Sequence, residues 1–264
     1  MNLPARITFL GTGTSSGTPV IGCACDVCRS TDPRDNRLRP SIYVDVLDRT
    51  RILVDTGTDL RQQVLRHGIS RVDAILFTHA HADHVMGLDE VRSFNYLQGA
   101  PIPCYASART WQSLRATFAY AFDPTPRKEG GGIPRLVPHE IDGPFEIDGV
   151  RIVPVPLWHG TTPILGFRFG SFAYLTDCNR LADESWALVE GVETLVIDAL
   201  RDRPHTTHFT VAESLEAIAR IAPRRAYLTH MAHQLGHAET NARLPPGVEL
   251  AYDGLTLDVE VDAS

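Results

Sequence analysis

Apolar positions along the chain fall into short runs, alternating or unbroken, separated by turn residues, with few stretches at helical spacing. RITFLGTG (6–13), SIYVDVL (41–47) and RILVDTG (51–57) predict three early strands, the last two joined as a hairpin through Asp48-Arg49-Thr50. Spacing at 58–67 puts Leu60, Val64 and Leu65 on one helical face, with Gly68 as its stop. VDAILFT (72–78) is apolar almost throughout, the mark of a strand buried on both faces. A helix is predicted at 107–121 around Trp111, Leu114 and Phe118, and FDPTPRKEGGGIP (122–134) reads as a breaker-rich loop. VRIVPVPLWH (150–159), ILGFRFG (164–170), FAYLTD (172–177) and TLVIDAL (194–200) predict four more strands. A helix at 210–222, a strand at 224–230 and a closing hairpin formed by GVELAYDG and LTLDVEV complete the pattern. No internal repeat and no dividing linker is visible, so one domain over residues 1–264 is expected. Many strands with interspersed helices predict an α/β chain of two packed sheets with helices outside.

Composition sharpens this only in part. A chain of 264 residues buries a sizeable core without disulfides. The net charge of −7 and the lack of a Lys/Arg run argue against a nucleic-acid polymer as partner, because phosphate chains are gripped by clustered cations. Neither a basic-then-apolar leader nor a membrane-length apolar run is present, so no membrane association is expected. Five cysteines, three of them in GCACDVC (22–28), suit metal binding better than a disulfide framework, and a cytoplasmic setting follows.

The chemistry concentrates in LFTHAHADHVMGL (76–88), where His79, His81, Asp83 and His84 follow a buried strand without a gap. Side chains two apart in an extended segment point the same way, so His79 and His81 can grip one ion together. If the chain then turns, Asp83 and His84 face a second ion. Imidazole and carboxylate suit Zn²⁺, Mn²⁺ or Fe. The plainer alternative is a polar loop whose histidines cap a helix.

This HxHxDH run closely resembles the signature of the metallo-β-lactamase superfamily, an αββα sandwich with metals along one edge of its sheets. The resemblance extends over about residues 6–257. It implies that Asp55 in LVDTG supports the site from behind. PLWHG supplies His159, YLTDC supplies the bridging Asp177, and YLTHM supplies His230. On this reading His79, His81 and His159 hold one divalent ion, zinc or manganese. Asp83, His84 and His230 hold the other, and Asp177 bridges both.

Cys23, Cys25 and Cys28 offer three thiolates in one loop, leaving a tetrahedral zinc one ligand short. No other Cys or His is near in sequence. His233 lies three residues past His230, and a turn over 231–235 would aim it outward from the catalytic site. The combination resembles a narrower branch, the PhnP-like cyclic phosphodiesterases, and implies a structural Cys3His zinc. LGTGTSSGTP before the cysteines fits the Gly/Thr-rich first turn of that branch, and GTGTSSG lacks the lysine of a phosphate loop. Cys104 and Cys178 read as buried small hydrophobes, and His67, His139 and His237 as surface or helix-end residues.

Hydrolysis needs a proton for the leaving oxygen. RDRPHTTHFT (201–210) offers His205 and His208, and His208 is preferred because Thr210 can cap the following helix and fix its position. The resemblance also places a catalytic His in this loop, and with it Asp83 and Asp177 are the expected catalytic residues. It implies attack by a metal-bound hydroxide on a small, cyclic phosphodiester. Three alternatives stand beside it. A thioesterase of the glyoxalase type would give the cysteine cluster no reason. A tRNA 3′-processing endonuclease would carry a gripping arm between His159 and Asp177, where only seventeen residues lie. A non-catalytic PqqB-like carrier would not need the full ligand set. The expected partners are a small phosphodiester and, as the one assembly considered, a second copy of the chain.

Overall fold

The computed structural model describes residues 2–123 and 132–263. Most of the predicted loop, residues 124–131, lies outside the described residues. The N-terminal half forms β1 (Asn2–Gly11), β2 (Ser41–Val46), β3 (Thr50–Val54), β4 (Ala74–Leu76), β5 (Ile102–Ala106) and β6 (Leu136–Glu140). The second half forms β7 (Phe145–Ile147), β8 (Val150–His159), β9 (Thr162–Phe169), β10 (Phe172–Leu175), β11 (Arg180–Leu181), β12 (Thr194–Asp198), β13 (Arg225–Thr229), β14 (Val248–Leu250) and β15 (Thr256–Asp262). One sheet runs β15-β1-β2-β3-β4-β5-β6 and the other β11-β8-β9-β10-β12-β13-β14, with β7 paired to β8. Both share a plan: antiparallel at one side, then a parallel half through β3–β6 or β10–β14.

The unbroken apolar run at β4 is explained by its two neighbours. Ala74 and Leu76 join the core between the sheets, with Phe9, Val44, Phe167, Tyr174 and Val196. Ile75 and Phe77 point the other way, into the layer with Leu60, Val91, Phe94, Trp111 and Leu114. Those side chains belong to the segment after α1 begins (Leu60–His67), to α3 (Val91–Gln98) and to α4 (Ala108–Thr117), with the short α2 (Ala82–Val85) ahead of α3. Across the molecule α7 (Val211–Ile221) packs Val211, Ala217 and Ile218 on Leu195, Ile197 and Leu228. The expected two mixed sheets flanked by helices are therefore observed. The remaining helices are α5 (Ala119–Phe122), α6 (Ser185–Leu188) and α8 (His237–Asn241).

Three expectations need correction. The closing hairpin does not form: β14 pairs parallel with β13, while β15 pairs antiparallel with β1 in the other sheet. Residues between them bridge the sheets, since Ala251 donates to Leu228 O and Gly254 to Phe9 O. The helix predicted at 107–121 breaks at Phe118, whose φ of −112° and ψ of 43° are not helical. His237 is buried, 3% exposed, at the start of α8. Cys104 and Cys178 are fully buried, as expected.

Candidate metal centre

Parallel strands with helices outside leave their carboxyl ends free to present side chains in a crevice. Here that edge collects Asp55 after β3, His79 after β4, Asp177 after β10 and His230 after β13. Three of these turn out of their strands in the left-handed region, with φ of 64° at Asp55, 58° at Asp177 and 60° at His230. Such a conformation costs non-glycine residues on the order of 1–3 kcal/mol and persists only where surrounding contacts enforce it. The turn after β3 also lies close on α2: Thr56 N donates to His84 O at 2.7 Å, and Gly87 N to Thr56 O at 2.8 Å. A Cβ at Gly57 would stand 2.2 Å from the Asp83 carbonyl oxygen, so that approach requires glycine.

Asp177 sits at the centre, 1% exposed. Its carboxylate lies 2.7 Å from His79 Nε2, 3.2 Å from His84 Nε2, 3.7 Å from His230 Nε2 and 4.0 Å from His81 Nδ1. Asp83 Oδ2 is 3.4 Å from His230 Nε2 and 3.6 Å from His84 Nε2. Three overlapping donor groups result: His79, His81 and Asp177; Asp83, His84, Asp177 and His230; and Asp177, Asp198, His208 and His230. His159 stands at the border of the first group. Its Nδ1 donates to the Asp177 main-chain carbonyl at 2.9 Å, and its ring lies 4.9 Å from that of His81.

Asp55 is buried behind this cluster. It accepts from Thr78 N at 2.9 Å, Thr78 Oγ1 at 2.8 Å and His84 Nδ1 at 2.7 Å. The last bond puts the His84 proton on Nδ1 and turns Nε2 toward Asp177. Despite that crowding, Nε2 of His79, His84 and His230 and Oδ1 of Asp177 are buried with no hydrogen-bond partner among the described residues. Orphaned lone pairs converging in this way are what cations satisfy. Electrostatics agrees. Burial opposes a charge on His84, yet Asp83 and Asp55 overcome it and raise its pKa well above the ordinary value. A proton there supplies positive charge that an ion at the same place would supply instead. Burial, followed by the charge on His84, pushes His79 down to about 4.

His208 lies in the same cavity, with Nδ1 3.1 Å from Asp177 Oδ1 and 3.3 Å from Asp198 Oδ1. Its ring stacks on His230 at 4.8 Å, whereas His205 is exposed with its ring 4.9 Å further out. The predicted cap is present as a capping box: Glu213 N donates to Thr210 Oγ1, and Thr210 N to Glu213. Asp198 was not singled out in the sequence. It closes β12 fully buried, accepts from Phe209 N at 3.0 Å, and lies 3.6 Å from His230 Nδ1. Burial pushes its carboxyl well up and the His208 imidazole down to about 4. TLVID ends in an Asp as RILVD (51–55) and YLTD (174–177) do, and that shared ending is the available signal.

The cysteines meet their expected partner. His233 Nδ1 is 3.4 Å from Cys23 Sγ, 3.3 Å from Cys25 Sγ and 3.6 Å from Cys28 Sγ. The Cys28 amide donates to Cys25 Sγ and, with His233, lowers that thiol to about 6, while burial raises Cys28 to about 11. Three sulfurs and one imidazole nitrogen at these separations fit a tetrahedral zinc. The loop bearing His230 and His233 is strapped by buried Arg37, which donates to the carbonyls of Ala232 and Leu235 and pairs with Asp35.

A fold of this kind, with imidazoles and carboxylates converging at its strand ends, presents a candidate dinuclear metal centre. The model of the Beta-lactamase superfamily domain matches residues 50–231. A crystal structure described as a new diphosphatase from the PhnP family superposes with a TM-score of 0.92, at 43% identity over 99% of each chain. The chain thus belongs to the metallo-β-lactamase superfamily and is PhnP-like. An octanoyltransferase of Porphyromonas gingivalis (strain ATCC BAA-308 / W83) is 36% identical over 252 residues, 95% of this chain. The chain spans about half of that relative, 51% of its length. Zn²⁺-bound PqqB from Methylobacterium extorquens shares the fold, with a TM-score of 0.75 at 20% identity over 96% of this chain and all of that one. Among the described residues no helix is long and apolar enough to cross a membrane.

Proposed function

We propose that this hydrolase cleaves a P–O bond in a small phosphodiester, with a cyclic phosphodiester as the first candidate. The observation that carries the reading is the set of orphaned donor atoms around Asp177, which suits two cations and, between them, an anionic phosphoryl group. His79, His81 and His159 would hold one divalent ion, Asp83, His84 and His230 the other, and Asp177 both. Such ions supply Lewis-acid neutralisation of phosphoryl charge and an acidified water. The Cys3His group would hold a zinc of structural role.

The chain's own residues do the rest. Nδ1 of His208 is held by Asp198, which leaves Nε2 to carry a proton to the departing oxygen. Burial depresses His208, and an anionic phosphoryl group beside it restores its basicity, so protonation is coupled to substrate binding. Asp198 and the capped start of α7 hold the ring in place. Asp177 and Asp83 contribute carboxylate charge to the ion sites. Between His159 and Asp177 the chain is taken up by β9 and β10 within the sheet, which leaves no gripping arm for a polynucleotide at that point.

A second reading, a diphosphate as substrate, is favoured by the 43% identical diphosphatase relative. A bridging diphosphate oxygen between two singly esterified phosphorus atoms presents the same kind of phosphoryl centre. The test is turnover of bis(p-nitrophenyl) phosphate by the Mn²⁺-loaded protein, followed by 2′,3′-, 3′,5′- and 1,2-cyclic phosphates and a dinucleoside diphosphate. No hydrolysis of any of these, with both ion sites filled, would refute the reading and favour a carrier. Preference for the diphosphate would select the second substrate class.

A further inference from the structure

We propose that Asn179 is a positioning residue for proton delivery, tying the turn that bears His159 to the loop that bears His208. The inference rests on the hydrolase reading above. It assigns a residue that belongs to neither ion set and does not itself carry the proton.

The two histidines arrive from different elements. His159 ends β8, and the chain reverses at once through Gly160, at a φ of 62°, into β9. His208 ends an excursion between β12 and α7. The base of that excursion is fastened where Leu200 N donates to Phe209 O, Phe209 N to Cys178 O and Val211 N to Arg201 O. Near the base, Asp202 pairs with Arg243 at the surface. The far part lies against the His159 turn, since a Cβ at Gly160 would stand 2.9 Å from Thr207 Cγ2. Van der Waals contact of that kind is non-directional and does not fix how the loop is placed along the turn.

Asn179 supplies the direction. It stands two positions after Asp177, and its own N–H donates to Trp158 O at 2.9 Å, which registers its backbone to β8. Its half-buried side chain spans the gap. Oδ1 accepts from Gly160 N at 2.9 Å, and Nδ2 donates to Thr206 O at 3.1 Å. One partner can only donate and the other can only accept, so the amide has a single orientation that satisfies both. Aspartate has the same shape but would set a lone pair against the Thr206 carbonyl. Thr206 lies two residues before His208, whose ring is held at Nδ1 by Asp198. Asp198 therefore fixes the ring, and Asn179 fixes the loop behind it relative to His159. The bond to Thr206 is open to water, so its effect lies in placement more than in stability. Displacing a reacting group by about 1 Å can cost on the order of 10²-fold in rate.

The test compares wild type, Asn179→Ala and Asn179→Asp, each with saturating Mn²⁺. Turnover is measured on the fastest cyclic phosphodiester of the series above, whose leaving alkoxide needs a proton. It is measured also on bis(p-nitrophenyl) phosphate, whose leaving group does not. Both variants should lose about 10- to 100-fold in kcat on the cyclic diester and much less on the activated one. Asn179→Asp keeps the acceptor for Gly160 N, so its loss isolates the bond to Thr206 O. Hydrogen exchange followed by mass spectrometry should quicken over residues 201–208 in both variants and stay as in wild type over β12 and α7. A wild-type rate on the cyclic diester in Asn179→Asp, an equal loss on both substrates, or unchanged exchange over 201–208 would each overturn the proposal. Wild type inactive on every substrate would strike at the hydrolase reading instead. The exchange comparison is read without turnover and still decides whether Asn179 ties the loop.

Discussion

Replacing Asp55 by Asn tests whether the group behind the cluster sets the ligand atom of His84. Asp55 Oδ1 accepts from Thr78 N, and Oδ2 accepts from both Thr78 Oγ1 and His84 Nδ1. Asn keeps the shape and tolerates the φ of 64° as Asp does, so the turn survives. With the amide oxygen retained toward Thr78 N, its NH₂ faces Thr78 Oγ1 and His84. The hydroxyl can rotate to accept. His84 must then accept at Nδ1, which moves its proton to Nε2, the atom aimed at Asp177. On the proposed assignment that tautomer cannot bind an ion. Partners of this kind typically contribute about 10–100-fold to metal affinity. The rearranged bonds in a fully buried pocket cost about 1–3 kcal/mol of stability. Calorimetric titration with Mn²⁺ after removal of active-site metal should show weakening at one of two sites. Zinc content at the cysteines, by mass spectrometry, should be unchanged. Asp55→Asn with wild-type affinity at both sites would refute the tautomer argument.

Replacing His208 by Ala should cost roughly 10²–10⁴ in rate on a ribose cyclic phosphodiester and far less on bis(p-nitrophenyl) phosphate, whose leaving group needs no proton; equal losses on both would deny His208 the acid role. Cys25→Ser should lower zinc by one ion per chain and destabilise by on the order of several kcal/mol, checked by metal analysis and thermal melts, and unchanged zinc would remove the cysteine site. Asp253, whose side chain is 2% exposed, is pushed up to about 7 by burial against the donors Leu38 N and Thr12 Oγ1. Its folded pKa exceeds the unfolded ~3.9, so the folded chain binds the extra proton and stability falls as pH rises from about 4 to 7. Asp253→Asn, always neutral, should flatten that slope by on the order of 2–4 kcal/mol; urea midpoints at pH 5 and pH 8 that shift in parallel with wild type would contradict the burial effect.

Fold and candidate site were legible in the chain in different ways, and particular residues say why. His79, His81, Asp83 and His84 stand out because ligand chemistry is confined to few residue types and sits next to an apolar run. His159, Asp177 and His230 carry no such crowding and are visible only through their order. Asp198 has the same strand-end signature as Asp177, yet nothing local marks it as facing His208 rather than solvent. The closing hairpin failed because Asp253-Gly254 is a good local turn, while pairing is decided by backbone groups of Leu228 and Phe9 that are remote in sequence. β5 escapes a reading of the sequence because IPCYA is short and holds a proline, even though Ile102, Cys104 and Ala106 are buried in alternation, and its partner β6 is largely exposed.

The loop that follows β13 has a consequence for how the molecule matures. His230 and His233 lie three positions apart, and on the proposed assignment each completes a different ligand set. The other members of those sets leave the ribosome long before: Cys23, Cys25 and Cys28 at the beginning, His79 to His84 soon after, His159 and Asp177 midway. Neither set is whole until the same late loop has been made and docked beneath Arg37. Premature termination anywhere before residue 230 therefore yields a chain in which the Asp83, His84 and His230 set and the Cys3His set are both incomplete. A nascent chain has no intermediate length at which one of these two sets is finished and the other is not, apart from chains ending at residues 230, 231 and 232.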